Sequence, residues 1–135
     1  MTDREAFFGR IVENLDPRYR IADLDKAAGT FDLCDEERKV PVSLPLDLLA
    51  EYREQLNGST LPDFPESPEE ARDQARLMFI RIWIEELFEA DVLRTVREIR
   101  LARAADGRLS LVRRRGPVQR PFPRAETDGA YWSAD

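Results

Sequence analysis

Apolar residues near the start of the chain follow the spacing of an amphipathic helix. They recur every three to four positions and therefore share one helical face: Phe7, Phe8, Ile11, Val12 and Leu15. Thr2 and Glu5 form a capping box, in which the two side chains satisfy free N–H groups of the first turn. Pro17 ends the segment because the residue before a proline avoids the helical region. The pattern predicts a helix over residues 3–15.

Alternating apolar and polar residues indicate a first β-hairpin further along the chain. Phe31 and Leu33 alternate with polar residues before a connection at residues 35–38, and a period of two is typical of a strand with one buried face. The second arm carries apolar residues at every other position: Val40, Val42 and Leu44. Because Pro41 cannot donate a ladder hydrogen bond, we expect its strand at a sheet edge, or with that side of the backbone unpaired.

Residues 19–30 fit two interpretations. Residues 20–29 could form a short helix ended by Gly29, since glycine often follows the last helical residue. They could also form a strand and a turn. We favour a strand or loop over residues 19–22, followed by a helical turn.

Two more helices are predicted from their start and stop signals. Pro45 begins a segment with leucines on one face, and Gly58 follows its end, which predicts a helix over residues 45–56. Ser67 is an N-cap residue followed by proline and two glutamates, the clearest helix start in the chain. This helix is expected to run from residue 67 to about 89 or 90, with an extension to residue 96 left open. Its centre is apolar almost all round, so we expect it to be the most buried.

The last regular element is a second hairpin, with arms at residues 97–104 and 108–115. A two-residue loop would place the apolar residues of the two arms on opposite faces of the sheet. A three-residue loop at residues 105–107, with Gly107 left-handed, gives one apolar face. The cross-strand pairs then expected are Leu101 with Leu111, Ile99 with Arg113, and Glu98 with Arg114.

Together these elements predict one α+β domain over residues 1–115. Two hairpins supply an antiparallel sheet of four to five strands, and three helices pack on it. Residues 116–135 contain three prolines and little periodicity, which predicts an extended C-terminal tail. The longest near-apolar run, residues 77–84, contains an arginine and is too short to cross a bilayer, so no membrane association is expected.

The chain lacks histidine and has one cysteine, Cys34. These counts exclude Ser-His-Asp and Cys-His catalysis, zinc sites of the Cys/His type, and an intramolecular disulfide. The lone cysteine favours a reducing compartment, and we predict a cytoplasmic protein. Carboxylates cluster at residues 32–37 and 85–89 without the ligand spacing of a metal site. We therefore assign no catalytic, metal-binding or cofactor-binding residue and expect a non-enzymatic protein.

Charge is unevenly divided along the chain, whose net charge is −6. Residues 1–95 carry 12 basic and 22 acidic side chains, whereas residues 96–135 carry 9 and 5. Six arginines of the second part form what we call the arginine strip: Arg108, Arg113, Arg114, Arg115, Arg120 and Arg124. With Tyr131 and Trp132 in the tail, they are the candidate partner-binding residues, because arginine and large aromatic side chains are typical of binding surfaces.

These observations favour a small acidic protein-binding protein: an adaptor, a chaperone, or an inhibitor or immunity-type protein. A basic or nucleic-acid-handling partner would suit its negative charge. One alternative is a nucleic-acid accessory protein that binds through the arginine strip, which the net charge disfavours. Another is a histidine-free enzyme that uses carboxylates and arginine. Met78 and Ile82, on the polar side of the long helix, leave a homodimer open.

Overall fold

The computed structural model describes residues 2–58, 60–62, 66–116 and 131–133, the last three by their backbone alone. Within these ranges the chain forms three helices and six strands. Their order is α1 (Asp3–Glu13), β1 (Arg20–Asp25), β2 (Thr30–Cys34), β3 (Lys39–Ser43), α2 (Leu46–Gln55), α3 (Glu69–Glu89), β4 (Val96–Arg103), β5 (Leu109–Arg115) and β6 (Tyr131–Ser133).

The strands form one mostly antiparallel sheet in the order β1-β2-β3-β4-β5-β6. The pair β3–β4 is parallel, and α2 and α3 form the long connection that a parallel pair needs. The predicted α+β class is confirmed. The ambiguous segment 19–30 contains strand β1, and the three-residue β6 adds a strand to those of the two predicted hairpins.

The second hairpin has the predicted register. Leu101 lies opposite Leu111, and Glu98 lies opposite Arg114. Gly107 has φ +87°, a left-handed conformation that a three-residue loop requires and that glycine adopts without strain. The choice of loop length from the need for one apolar face is therefore confirmed.

The helices pack on the sheet around one apolar core. Helix α3 is the longest and contributes five buried apolar side chains, more than α1 or α2: Leu77, Ile80, Ile84, Leu87 and Phe88. It contacts both other helices and strands β4 and β5. Phe8 of α1 meets Phe31 of β2 with ring centroids 6.0 Å apart, which joins the first helix to the first hairpin.

Several local expectations need correction. Helix α1 ends at Glu13, although Glu5 N–H donates to Thr2 Oγ1 at 3.1 Å as the cap predicted. Helix α3 begins at Glu69: Pro68 is the N-cap residue in an extended conformation, and Ser67 makes no capping hydrogen bond. Strand β3 is interior, and of the two alternatives expected for Pro41 the second applies. Its ladder to β4 begins at Val42, one residue after Pro41, so the proline lies outside that ladder.

Most of the predicted tail lies outside the described residues. Of residues 116–135, Gly116 and the backbone of 131–133 are described. Arg115 lies opposite Tyr131, and Arg114 lies opposite Trp132 in the ladder between β5 and β6. At this point the end of the chain pairs with the domain's own sheet.

Candidate protein-binding surface

A tight turn joins the end of α3 to the start of β4. Ala90 N–H donates to Glu86 O at 2.9 Å as the helix ends, and Arg94 N–H donates to Asp91 O at 3.1 Å. Arg94 has φ +55°, in the left-handed region that residues other than glycine seldom occupy. Backbone strain of this kind persists where surrounding contacts hold it, and it is frequent at functional sites. We call residues 91–94 the α3–β4 turn.

Asp91 holds this turn from inside. Its side chain is 1% exposed, and its two carboxylate oxygens accept Thr95 N–H and Val96 N–H, each at 2.9 Å. The Thr95 hydroxyl adds a third donor at 3.3 Å. Burial by itself would raise the pKa of Asp91, but these hydrogen bonds and the charge of Arg38 outweigh it, and the pKa lies below its ordinary value. Asp91 is therefore ionised at neutral pH and anchors the first residues of β4.

Arg38 connects the α3–β4 turn to the turn between β2 and β3. Its guanidinium pairs with Asp91 at 3.1 Å and donates to the carbonyl oxygen of Phe88 at 2.9 Å. The guanidinium carbon also lies 3.7 Å from the centroid of the Phe88 ring, a cation–π contact. On its other side it meets Asp35 at 3.5 Å. Two turns 53 residues apart are thus fixed to each other through one arginine, whose side chain is 11% exposed.

The tip of the α3–β4 turn presents two apolar side chains to solvent. Val92 is 85% exposed and Leu93 is 69% exposed, the two highest values among the large hydrophobic residues that the structure describes. The next highest, Leu24 on β1 and Ile82 on α3, are 44% and 42%. Single exposed apolar residues are ordinary, but an adjacent pair at the tip of a turn with buried charged support is a candidate contact.

Charged side chains surround this tip. Arg94 pairs with Glu37 at 2.7 Å, which brings the acidic turn between β2 and β3 beside it. Glu89, at the end of α3, accepts a hydrogen bond from Tyr19 and pairs with Arg18 at 3.0 Å. Gly116 N–H donates to Thr95 O at 2.7 Å, so the residue that follows β5 lies at the same end of the sheet. The surface therefore combines an apolar centre with a polar, largely paired rim, the usual anatomy of a protein interface.

The structure describes four residues of the arginine strip, on β5 and in the loop before it. Arg108 is exposed in the loop of the second hairpin, whereas Arg115 is at the opposite end of β5. Arg113 is 3% exposed, so it offers almost no surface to a partner. Arg114 pairs with Glu98 at 3.7 Å.

Four candidate residues remain, all in the C-terminal tail. Arg120 and Arg124 lie outside the described residues, and Tyr131 and Trp132 are described by their backbone alone. Another arginine of this region, Arg103, makes two hydrogen bonds to Glu51, at 2.6 and 2.7 Å. Partner binding by the arginine strip, Tyr131 and Trp132 stays a prediction.

Cys34 and Asp35 lie where β2 ends and the turn to β3 begins. Asp35 accepts Glu37 N–H and Arg38 N–H, both at 2.8 Å, and thereby closes the turn between β2 and β3. Cys34 is a buried free thiol. In the part of the chain that the structure describes, no three acidic or cysteine side chains are arranged to hold a metal ion. The described helices include none that is both long and apolar enough to cross a membrane.

Pattern analysis of the sequence missed the α3–β4 turn. Val92 and Leu93 are apolar like the helix before them, so the sequence does not separate this turn from α3. Comparison of the chain with protein-family models, with curated proteins and with solved structures found no match. The candidate surface therefore depends on its own geometry.

Proposed function

We propose that this chain is a small, acidic, non-enzymatic protein-binding protein whose α3–β4 turn inserts into a partner protein. The observation that carries the proposal is the exposure of Val92 and Leu93 at the tip of a turn held by buried Asp91 and Arg38. Fully burying a valine or leucine side chain contributes about 1.5–3 kcal/mol each. Two adjacent side chains can therefore supply much of the energy of a binding anchor.

The buried support makes this anchor efficient. Side chains and loops that become ordered only on binding subtract from affinity, and a preorganised loop avoids that cost. Here three hydrogen bonds to Asp91 and the stacking of Arg38 on Phe88 fix the turn before a partner arrives. A rigid apolar tip fits a concave apolar site on another protein.

The charge of the chain favours a basic partner. The net charge of −6 attracts a positive surface over long range and accelerates encounter. Proteins that handle nucleic acids carry such surfaces, and adaptors, small chaperones, and inhibitor or immunity-type proteins act by stoichiometric docking of this kind. We place the protein in the cytoplasm, where its buried thiol Cys34 would stay reduced.

The test compares partner capture by three immobilised forms of the chain: the natural sequence, Val92→Ser/Leu93→Ser, and Leu24→Ser as a matched exposed-leucine control. Lysate of the source organism is first treated with nuclease, so that nucleic acid cannot bridge proteins. A partner bound through the turn is captured by the natural and control forms and is lost from the double variant. Calorimetry with the purified partner should show the same difference, about 100-fold or more in Kd. Equal capture by all three forms contradicts the proposal.

A further inference from the structure

The outward face of α3 carries a second apolar surface, separate from the α3–β4 turn. We call Met78, Phe79, Ile82 and Trp83 the α3 stripe; they recur at the spacing of one helical face. Ile82 is 42% exposed, and the other three are partly buried against the core. The rings of Phe79 and Trp83 stack with centroids 6.5 Å apart and planes 7° apart, which forms a flat aromatic platform.

Residues near the start of the chain contact one flank of α3 through polar groups. Arg10 reaches Gln74 at 3.3 Å, and the backbone N–H of Asp16 donates to Glu85 at 2.7 Å. These contacts account for the polar residues on that flank. Ile82, on the neighbouring apolar face, stays exposed in the described part of the chain.

The exposed charged side chains of α3 are all acidic. The helix holds six carboxylates and three arginines, and all of its residues are described. Each arginine pairs with a carboxylate of the same helix: Arg72 with Glu69, Arg76 with Glu69 and Asp73, and Arg81 with Glu85. Four charged residues of α3 are exposed: Glu69, Glu70, Glu86 and Glu89. Of these, Glu89 pairs with Arg18, which lies outside the helix. Glu70 and Glu86 make no ion pair within the described residues, and we call these two the glutamate rim.

From this combination we infer that the α3 stripe binds an amphipathic helix of a protein partner, with apolar residues on one face and lysine or arginine beside them. The inference rests on the proposed protein-binding function and specifies the partner's chemistry. Apolar anchors at i, i+3 or i+4, and i+7 fit a helix laid along such a stripe. Basic residues beside those anchors would pair with the carboxylates of the glutamate rim.

A second copy of this chain fits the α3 stripe less well than a basic helix. Glutamates lie at both ends of α3, so pairing two copies along this helix, in either direction, brings exposed glutamates together. Like charges at such a contact are unfavourable, and each copy also carries a net charge of −6. We therefore expect the full chain to be monomeric when no partner is bound.

The experiment uses two synthetic amphipathic peptides of about 18 residues, long enough to hold a helix. Both carry the same leucine face; one has lysine and arginine on its polar face and the other has glutamate. Binding to the full chain is followed by the fluorescence of Trp83 in a Trp132→Phe background. The basic peptide should bind with a change in Trp83 emission, and the acidic peptide should bind at least tenfold more weakly.

Two variants locate the contact. Ile82→Ser should weaken binding of the basic peptide, and Glu70→Lys/Glu86→Lys should weaken it while strengthening binding of the acidic peptide. Val92→Ser/Leu93→Ser should leave both affinities unchanged, which separates this inference from the function proposed for the α3–β4 turn. Equal affinity for the two peptides, no binding of either, an unchanged affinity in Ile82→Ser, or a dimer in sedimentation would overturn the inference.

Discussion

Replacement of Asp91 tests the claim that a buried charge holds the α3–β4 turn. In Asp91→Ala, the N–H groups of Thr95 and Val96 lose their acceptor, and Arg38 loses one of its two carboxylate partners. A buried donor left without a partner costs about 1–3 kcal/mol. Breaking a buried ion pair costs about 3–5 kcal/mol. These losses share the same atoms, so we expect a total decrease of about 3–5 kcal/mol in the free energy of unfolding.

Asp91→Asn removes the charge and one of the two acceptor oxygens. The amide keeps the shape of the side chain and one acceptor oxygen, so the expected loss is smaller, about 2 kcal/mol. Urea unfolding followed by circular dichroism measures both variants, since a change of 1.4 kcal/mol is tenfold in the unfolding equilibrium. Asp23→Asn is the control, because its pair with Lys39 is exposed and such pairs contribute little.

The pH dependence gives an independent check with a definite sign. The pKa of Asp91 in the folded protein lies below its ordinary value of about 3.9. Its contribution to stability is therefore complete above that value and is lost as pH falls through the lower, folded-state pKa. The stability difference between the natural protein and Asp91→Asn should be largest at neutral pH and shrink below about pH 4. If Asp91→Asn is as mild as Asp23→Asn, or the difference grows in acid, the reasoning is refuted.

Three further predictions concern other parts of the fold. Gly29→Ala should lower the free energy of unfolding by several kcal/mol, because Gly29 has φ +75° and an added Cβ would collide with the carbonyl oxygen of Leu44. A thermal midpoint equal to that of the natural protein contradicts this. Tyr19 and Tyr52 have pKa values raised to about 12, Tyr19 by burial and a hydrogen bond to a carboxylate and Tyr52 by burial. Their tyrosinate absorbance should therefore appear well above pH 10 in an alkaline titration. The stability that they contribute should fall as pH rises from about 10 to 12. Titration of all three tyrosines near pH 10 in the folded protein would contradict the raised pKa values. Arg76→Met should lower the free energy of unfolding in urea by about 3–5 kcal/mol, because Arg76 is 2% exposed and pairs with two carboxylates. A loss under 1 kcal/mol would mean that the packing of methionine compensates for the lost ion pairs.

The second hairpin could be predicted in detail because its signals are local. The apolar alternation and Gly107 lie within a few residues of the pairs that they specify. The same register also places one arginine of the arginine strip on the apolar face. Arg113 lies opposite buried Ile99, on the apolar face of the hairpin, and the structure buries it.

The α3–β4 turn could not be predicted in the same way. Its apolar pair fits the period of α3, and nothing within a few residues ends the helix as a glycine or proline would. The contact that fixes the turn joins Asp91 to Arg38, 53 residues earlier in the chain. Sequence periodicity carries no information about such a long-range pair, and the candidate surface became apparent only when the fold brought the two turns together.

Site-specific photo-crosslinking tests the central claim most directly. A photoreactive amino acid is placed at position 93 in the full chain, and at position 24 as a control with an exposed leucine on β1. Irradiation in cells of the source organism should give a covalent adduct with one protein from position 93 and none from position 24. An adduct of equal yield from both positions, or from position 24 alone, would contradict the assignment of the α3–β4 turn as the binding anchor.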